Sequence, residues 1–217
     1  MSTLETTKTA SQPQWDRLPD KQTVARTIES LKSRGIKAKL VGTQQEALRL
    51  IAGKIPERAE VMTGASASLD QIGFTELLKS GRHHWKNLKE EVMSEKDPVK
   101  QRELRVKATG ADYFIGSVQA VAETGEVVVA SASGSQIPAY AFNARNVIWV
   151  VGTQKIVPSL EEALRRIREH ALPLETARMK SLGYPGSMIG KLLILERELT
   201  ILERDLTMVL VNEKLGF

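Results

Sequence analysis

The chain has 217 residues, of which 41% are hydrophobic and 26% charged, with a net charge of +5 and no cysteine. That length can bury a sizeable core without covalent staples, and the balance of residue types is that of an ordinary globular protein. The missing thiols exclude disulfides, Cys-ligated zinc, an iron–sulfur cluster held by this chain and a cysteine nucleophile, and they fit a cytoplasmic location.

No apolar run approaches the roughly 18–20 residues of a membrane span. The N-terminal "MSTLETTKTASQPQWDRLPDK" has no apolar core of a secretory signal. Rich in Ser, Thr, Gln and Pro, residues 1–18 are expected to form a flexible tail, with Trp15 and Leu18 available to dock on the body. Residues 19–217 are expected to form a single domain.

Residues 20–34 put Val24, Ile28 and Leu31 on one helical face, and Gly35 is suited to the turn that ends it. "IKAKLVG" (36–42) alternates as a half-buried strand does. Thr43 and Glu46 have capping-box spacing, which predicts a short helix through Ala52. "AEVMTG" (59–64) reads as a strand, residues 67–81 as a helix broken near Gly73, and 85–109 as mostly helical with an interruption at Pro98. Strands are expected over 112–118 and 126–131. "NVIWVVG" (146–152) is apolar throughout, as a central parallel strand is. Ser159 and Glu162 form a second capping box, opening a helix through His170. A further helix is expected near Ser187, and a last strand over 206–212. The seven-residue echo within "LERELTILERDL" (195–206) is too short for a coiled coil. Strands alternating with helices predict an α/β fold with a mostly parallel sheet covered on both faces.

In such sheets ligands bind beyond the carboxyl ends of the strands. Four stretches following strands are small, polar and glycine-containing: "TGASAS" (63–68), "SVQAVAETG" (117–125), "SASGSQ" (131–136) and "GTQK" (152–155). Their candidate ligand-binding residues are Thr63, Gly64, Ser66, Ser68, Ser117, Gln119, Gly125, Gly134, Ser135, Gln136 and Lys155. Gly64 frees the backbone for amides to face an anion, with hydroxyls adding donors. Lys155 is either a ligand-holding cation or a surface lysine. Glu123 is either a general base or nucleophile on the rim of a site, or a solvated acid in a turn with Thr124 and Gly125.

Other classes have less support. The basic region 79–107 also carries Glu90, Glu91, Glu95, Asp97 and Glu103, the mixture of a solvated face rather than of a nucleic-acid groove. His83 and His84 are adjacent, so on a helix they would diverge by about 100° and not share a metal. Neither a metal nor a cofactor is expected.

The stretches "TGASASLDQIG" (63–73), "ADYFIGSVQAVAETGEVV" (111–128) and "GSQIPAYAFNARNVIWVVGTQKIVPSLEEALRRI" (134–167) resemble, in order, those of the LUD domain, the LutC/YkgG-type lactate-utilisation family. "KLLILERE" and "MVLVNEKLGF" resemble the C-terminal part of its short members. The resemblance spans most of residues 20–217. It implies a Rossmann-like fold akin to the NagB/RpiA/CoA transferase-like superfamily. It also implies a cytosolic accessory role in lactate or 2-hydroxy-acid utilisation, beside iron–sulfur oxidoreductase subunits, with a small carboxylate or anion as ligand; a homo-oligomer is a further expectation. The alternative it implies is a CoA-transferase-like or sugar-phosphate isomerase-like enzyme. There Glu123 would be nucleophile or base, facing a pocket shared with Ser66 and Gly134. The chain departs from the family in carrying Ser135-Gln136 where many members carry Asn-Arg, and Gln cannot supply a guanidinium's charge. Only "SMIGK" (187–191) stands where longer members carry further C-terminal motifs.

Overall fold

A computed structural model describes residues 15–217. The elements, in chain order, are α1 (Lys21–Ser33), β1 (Lys37–Val41), α2 (Gln44–Lys54), β2 (Glu60–Thr63), α3 (Ala67–Gln71), α4 (Phe74–Ser80), β3 (Lys86–Asn87), α5 (Leu88–Ser94) and α6 (Pro98–Lys107). After these come β4 (Tyr113–Gly116), β5 (Ala120–Ala122), β6 (Val127–Ser131), β7 (Asn146–Gly152), β8 (Ile156–Val157), α7 (Leu160–Arg166), α8 (Leu172–Ser181), β9 (Lys191–Leu195) and β10 (Asp205–Val211).

Six strands form a parallel sheet in the order β1-β10-β7-β4-β2-β3. The α/β class with a mostly parallel sheet is therefore as expected. Side chains alternate across it. Val147, Trp149 and Val151 of β7 pack with Val24 and Leu31 of α1 and Leu88 and Val92 of α5. Ile148 and Val150 pack on the other face with Ala47 and Ile51 of α2, Leu69 of α3 and Phe74 of α4. Burial on both faces is what the uninterrupted apolar run of β7 demands.

Local chemistry sets the helix ends. Asp20 Oδ1 accepts from the Thr23 amide at 2.7 Å, and Thr43 and Ser159 each accept from the amide three residues on at 3.2 Å. Glu46 reaches back to the Gly42 amide at 2.7 Å rather than to that of Thr43. Gly73, at φ 80°, separates α3 from α4.

Four features differ from expectation. Residues 120–122 form a strand rather than a loop, and β6 pairs antiparallel with it. Both belong to a second sheet, β8-β5-β6-β9, rather than to the main one. Val121, Val127 and Val129 turn toward the core shared with α1, while Ala120 and Val128 pack under Ala163 and Ile167. A strand of three small residues is too short to show periodicity. The two-residue β3 was hidden for the same reason. The helix begun at Leu160 runs on past His170 through a π-helical turn, Ile167–Ala171, into α8. Pro173 lacks an N–H and its ring would strike the carbonyl four residues back, a conflict that a widened turn relieves. No helix starts at Ser187; residues 185–190 are irregular and lead into β9.

The tail expected over residues 1–18 lies outside the described residues as far as 14. Trp15 does pack on the body, its ring tilted against that of His170 with centroids 5.8 Å apart, whereas Leu18 is 39% exposed. Among the described residues no helix is long and apolar enough to cross a membrane.

Candidate functional site

The parallel strands all end on one edge, and the second sheet stands over one face of the main sheet with its β6–β9 end at that edge. A cavity of about 380 Å³ opens between them. The segments after β2, β4 and β7, the turn after β6, the approach to β9, α8 and the residues after β10 all contribute to its lining.

Of the residues singled out from sequence, Gly64, Ser66, Ser68, Ser117, Gln119, Ser135, Gln136 and Lys155 line this cavity. Thr63 and Gly134 sit beside it without lining it. Thr63 is 7% exposed, with its carbonyl held by Lys89 Nζ at 3.3 Å, and the Gly134 amide donates to Ser131 Oγ at 2.9 Å.

Glu123 and Gly125 are elsewhere. They form the turn joining β5 to β6, at the opposite end of these strands from Gln119 and Ser131. Glu123 is held by Arg26 at 3.1 Å, and Gly125, at φ 98°, packs on Arg34. The expectation that Glu123 faces a pocket shared with Ser66 and Gly134 is corrected accordingly: the unrecognised β5 carries the chain away from the site before Glu123 is reached. Of the two readings of "AETGEV", the hairpin turn is the one observed. Glu123→Gln should change stability by less than about 1 kcal/mol, as exposed ion pairs do. It should leave any ligand-induced melting shift intact, which thermal unfolding of the variant with and without ligand will check.

Lys155 lines the cavity between Ser68 and Ser117. It is 3% exposed, not a surface lysine. Its Nζ donates to Ser68 Oγ at 3.2 Å, Ser117 Oγ at 3.2 Å and the Val118 carbonyl at 3.1 Å. Burial pushes its ammonium down to about 7, and the Arg166 guanidinium adds to the shift. Arg166 is itself fully buried on α7 and donates to the Gln119 carbonyl at 2.5 Å. Its Nε and Nη2 find no partner among the described residues. Two buried cations thus flank residues 117–119, with no carboxylate bonded to either among the described residues. Glu175 in the lining is engaged by Arg178 through two bonds of 2.7 Å.

Other donors face the same space. Gln119 Oε1 accepts from the Ala130 amide at 2.8 Å and Gln136 Oε1 from Ser131 Oγ at 3.1 Å, which leaves the NH₂ group of each for an occupant. Tyr140, edge-on to Phe114 and Trp149, lies beneath Ser117 and Gly116. A side chain at 116 would collide with its hydroxyl. Gly216 covers Ser68, where a Cβ would come within 2.6 Å of Ser68 Oγ.

Sequence reasoning missed α8 and the 186–189 segment in the lining because neither follows a predicted strand, and it missed Gly216, which lies a few residues beyond the last predicted strand in a stretch without the small polar signature of the other four. Arg166 did leave a trace: it is a cation three residues after Ala163 and beside Ile167, on the apolar stripe of its helix.

The sequence matches the LUD domain over residues 24–193. The chain belongs to the LUD domain family. The match covers α1 through the first half of β9 and includes every cavity-lining residue except Gly216 and Phe217. The fold is also similar to the crystal structure of a DUF162 family protein from Deinococcus radiodurans. That protein is 12% identical, with a TM-score of 0.53 over 88% of this chain and 95% of the other. Comparison with curated proteins gives no match. Membership of the LUD family supports an association with lactate utilisation at the level of the family.

Proposed function

We propose that this LUD domain protein is a cytoplasmic accessory component of lactate or related 2-hydroxy-acid utilisation. It holds a small carboxylate or similar anion at Lys155 and works beside iron–sulfur oxidoreductase subunits. The observation that carries the reading is the buried Lys155 ammonium, ringed by hydroxyl and amide donors and reinforced by Arg166, with no carboxylate bonded to it among the described residues. An anion entering there completes the charge balance of a low-dielectric site. Ser135-Gln136, in place of a guanidinium, supplies neutral donors at the rim, so Lys155 provides the charge. The chain has no cysteine for a cluster, so electron transfer in this reading belongs to the partners.

Thermal unfolding with lactate, pyruvate, a sugar phosphate and a CoA ester tests it. A true ligand at 100-fold its dissociation constant adds about 2.7 kcal/mol. In a chain of this size that is a rise of roughly 5–10 °C in melting temperature. The shift is expected with at least one of these anions and is expected to disappear in Lys155→Met. No shift with any of them, or an equal shift in the variant, overturns the proposal.

A further inference from the structure

The cavity is larger and less polar than a three-carbon acid requires. Its volume of about 380 Å³ falls in the range of sites that enclose much larger ligands, about 300–1,000 Å³. Its walls differ in character. Hydroxyls, amides and Lys155 come from the segments at the strand ends, while α8 and its flanking segments contribute the apolar Ile167, Leu172, Met179, Met188 and Ile189, with Glu175 and Arg178 among them satisfied by each other. Such a cavity suits a molecule with one polar, reacting end and an apolar body.

At the polar end three side chains converge. Ser68 Oγ and Ser117 Oγ are 3.2 Å apart, and each is 3.2 Å from Lys155 Nζ. The serines differ in reach. Ser68 is 1% exposed beneath Gly216, whereas Ser117 is only half-buried and open to the cavity. An amine that has lost its proton keeps two N–H donors and turns its lone pair to a hydroxyl, the arrangement of a general base on a serine.

We propose that Ser117 is an acyl-transfer nucleophile with Lys155 as its general base and Ser68 as a positioning residue, acting on esters or thioesters of apolar carboxylic acids. The proposal rests on reading this cavity as the ligand site. Ser117 Oγ bonds to the acyl carbon as its proton passes to Lys155 Nζ. The bond from that carbon to the alkoxide or thiolate breaks, and the leaving group takes the proton from Lys155. Water then adds to the acyl carbon, giving a proton to Lys155. The Oγ–acyl bond breaks, and the proton returns to Ser117. The net reaction is ester or thioester plus water to carboxylic acid plus alcohol or thiol. The NH₂ groups of Gln119 and Gln136 are available to the carbonyl oxygen, and the acid product is a carboxylate beside a Lys155 ammonium, the same contact proposed for ligand binding. Burial supports the assignment, since it leaves much of Lys155 unprotonated at neutral pH.

A fluorophosphonate probe incubated with the folded full chain, followed by intact mass and peptide mapping, is the test. The expected result is a single adduct on Ser117, absent in Ser117→Ala, forming faster as pH rises through about 7. Lys155→Met should slow labelling by about 10²–10⁴-fold with circular dichroism unchanged. Ser68→Ala should move the midpoint of the pH profile downward, because the ammonium loses an acceptor. No adduct, an adduct on another serine, or wild-type labelling of Lys155→Met overturns the proposal. If anions still raise the melting temperature while no adduct forms, the chemistry falls and the binding reading stands. If the adduct forms and no anion shifts melting, anion binding falls and the nucleophile stands.

Discussion

Above neutral pH, Lys155 should make the unfolding free energy rise by roughly 1.4 kcal/mol for each pH unit, and Lys155→Met should lose that contribution, leaving only the smaller one of Lys89, which burial also pushes down. Unfolded, Lys155 keeps its proton up to about 10.5; folded, burial makes it release the proton near 7. Between these values the unfolded chain binds one proton more, so raising the pH favours the folded state. Below about 7 both states are protonated and the effect is absent. The integrated change is on the order of 5 kcal/mol, a large part of the stability of a typical domain. Burial raises the Tyr140 phenol well above its ordinary value, so above about pH 10 the unfolded chain loses that proton first and the Tyr140 contribution opposes that of Lys155, while Arg166, pushed down by burial to about 10, acts in the same sense as Lys155. Urea unfolding of wild type and Lys155→Met between about pH 7.5 and 9.5 reads the effect directly. Parallel curves would show that Lys155 titrates as an ordinary lysine. The same titration sets function: anion affinity should fall as pH rises through about 7, because only the ammonium attracts the ligand.

Arg204→Ala should lose about 3–5 kcal/mol of stability, the penalty for leaving one partner of a buried ion pair alone. Arg204 and Glu198, both 6% exposed at the side chain, meet at 2.8 Å. The same guanidinium donates to the carbonyls of Ala139, Tyr140, Ala141 and Ala144, at 3.0–3.2 Å. These carbonyls belong to and flank the π-helical turn Ala139–Asn143, where helical backbone leaves acceptors unmet. Arg204→Lys should recover little, since an ammonium cannot span four carbonyls and a carboxylate as a planar fork does. Because the turn carries Tyr140 beneath Ser117, the loss should extend to the cavity, seen as a weaker ligand-induced shift at temperatures where the variant remains folded. A variant within about 1 kcal/mol of wild type, a typical surface value, would rule this out.

How much was legible follows from the period and length of each signal. The apolar run of β7 and the spaced apolar positions of α1 are long enough to fix element type by themselves. Capping at Thr43 and Ser159 concerns neighbours in sequence, and both expected hydroxyls cap their helices. The break at Gly73 was visible because only glycine adopts its positive φ without strain. The three residues of β5 carry no such signal, and missing them displaced Glu123 from the hairpin turn to an imagined rim. Likewise "SMIGK" reads as a helix start, whereas β9 forms because β6 offers it an edge.

Residue order alone therefore determined the parallel α/β layering, the glycine and serine stretches at the strand ends, and the absence of any thiol. Those properties depend on local propensity and on which residues alternate. Only the tertiary structure decided that Lys155 is buried between Ser68 and Ser117, that Arg166 reinforces it through the far side of residues 117–119, and that Glu123 stands apart. These depend on how a second sheet closes over the first. Pairing of strands distant in the chain is governed by edge hydrogen bonds and core packing, and neither leaves a mark on any short stretch of sequence.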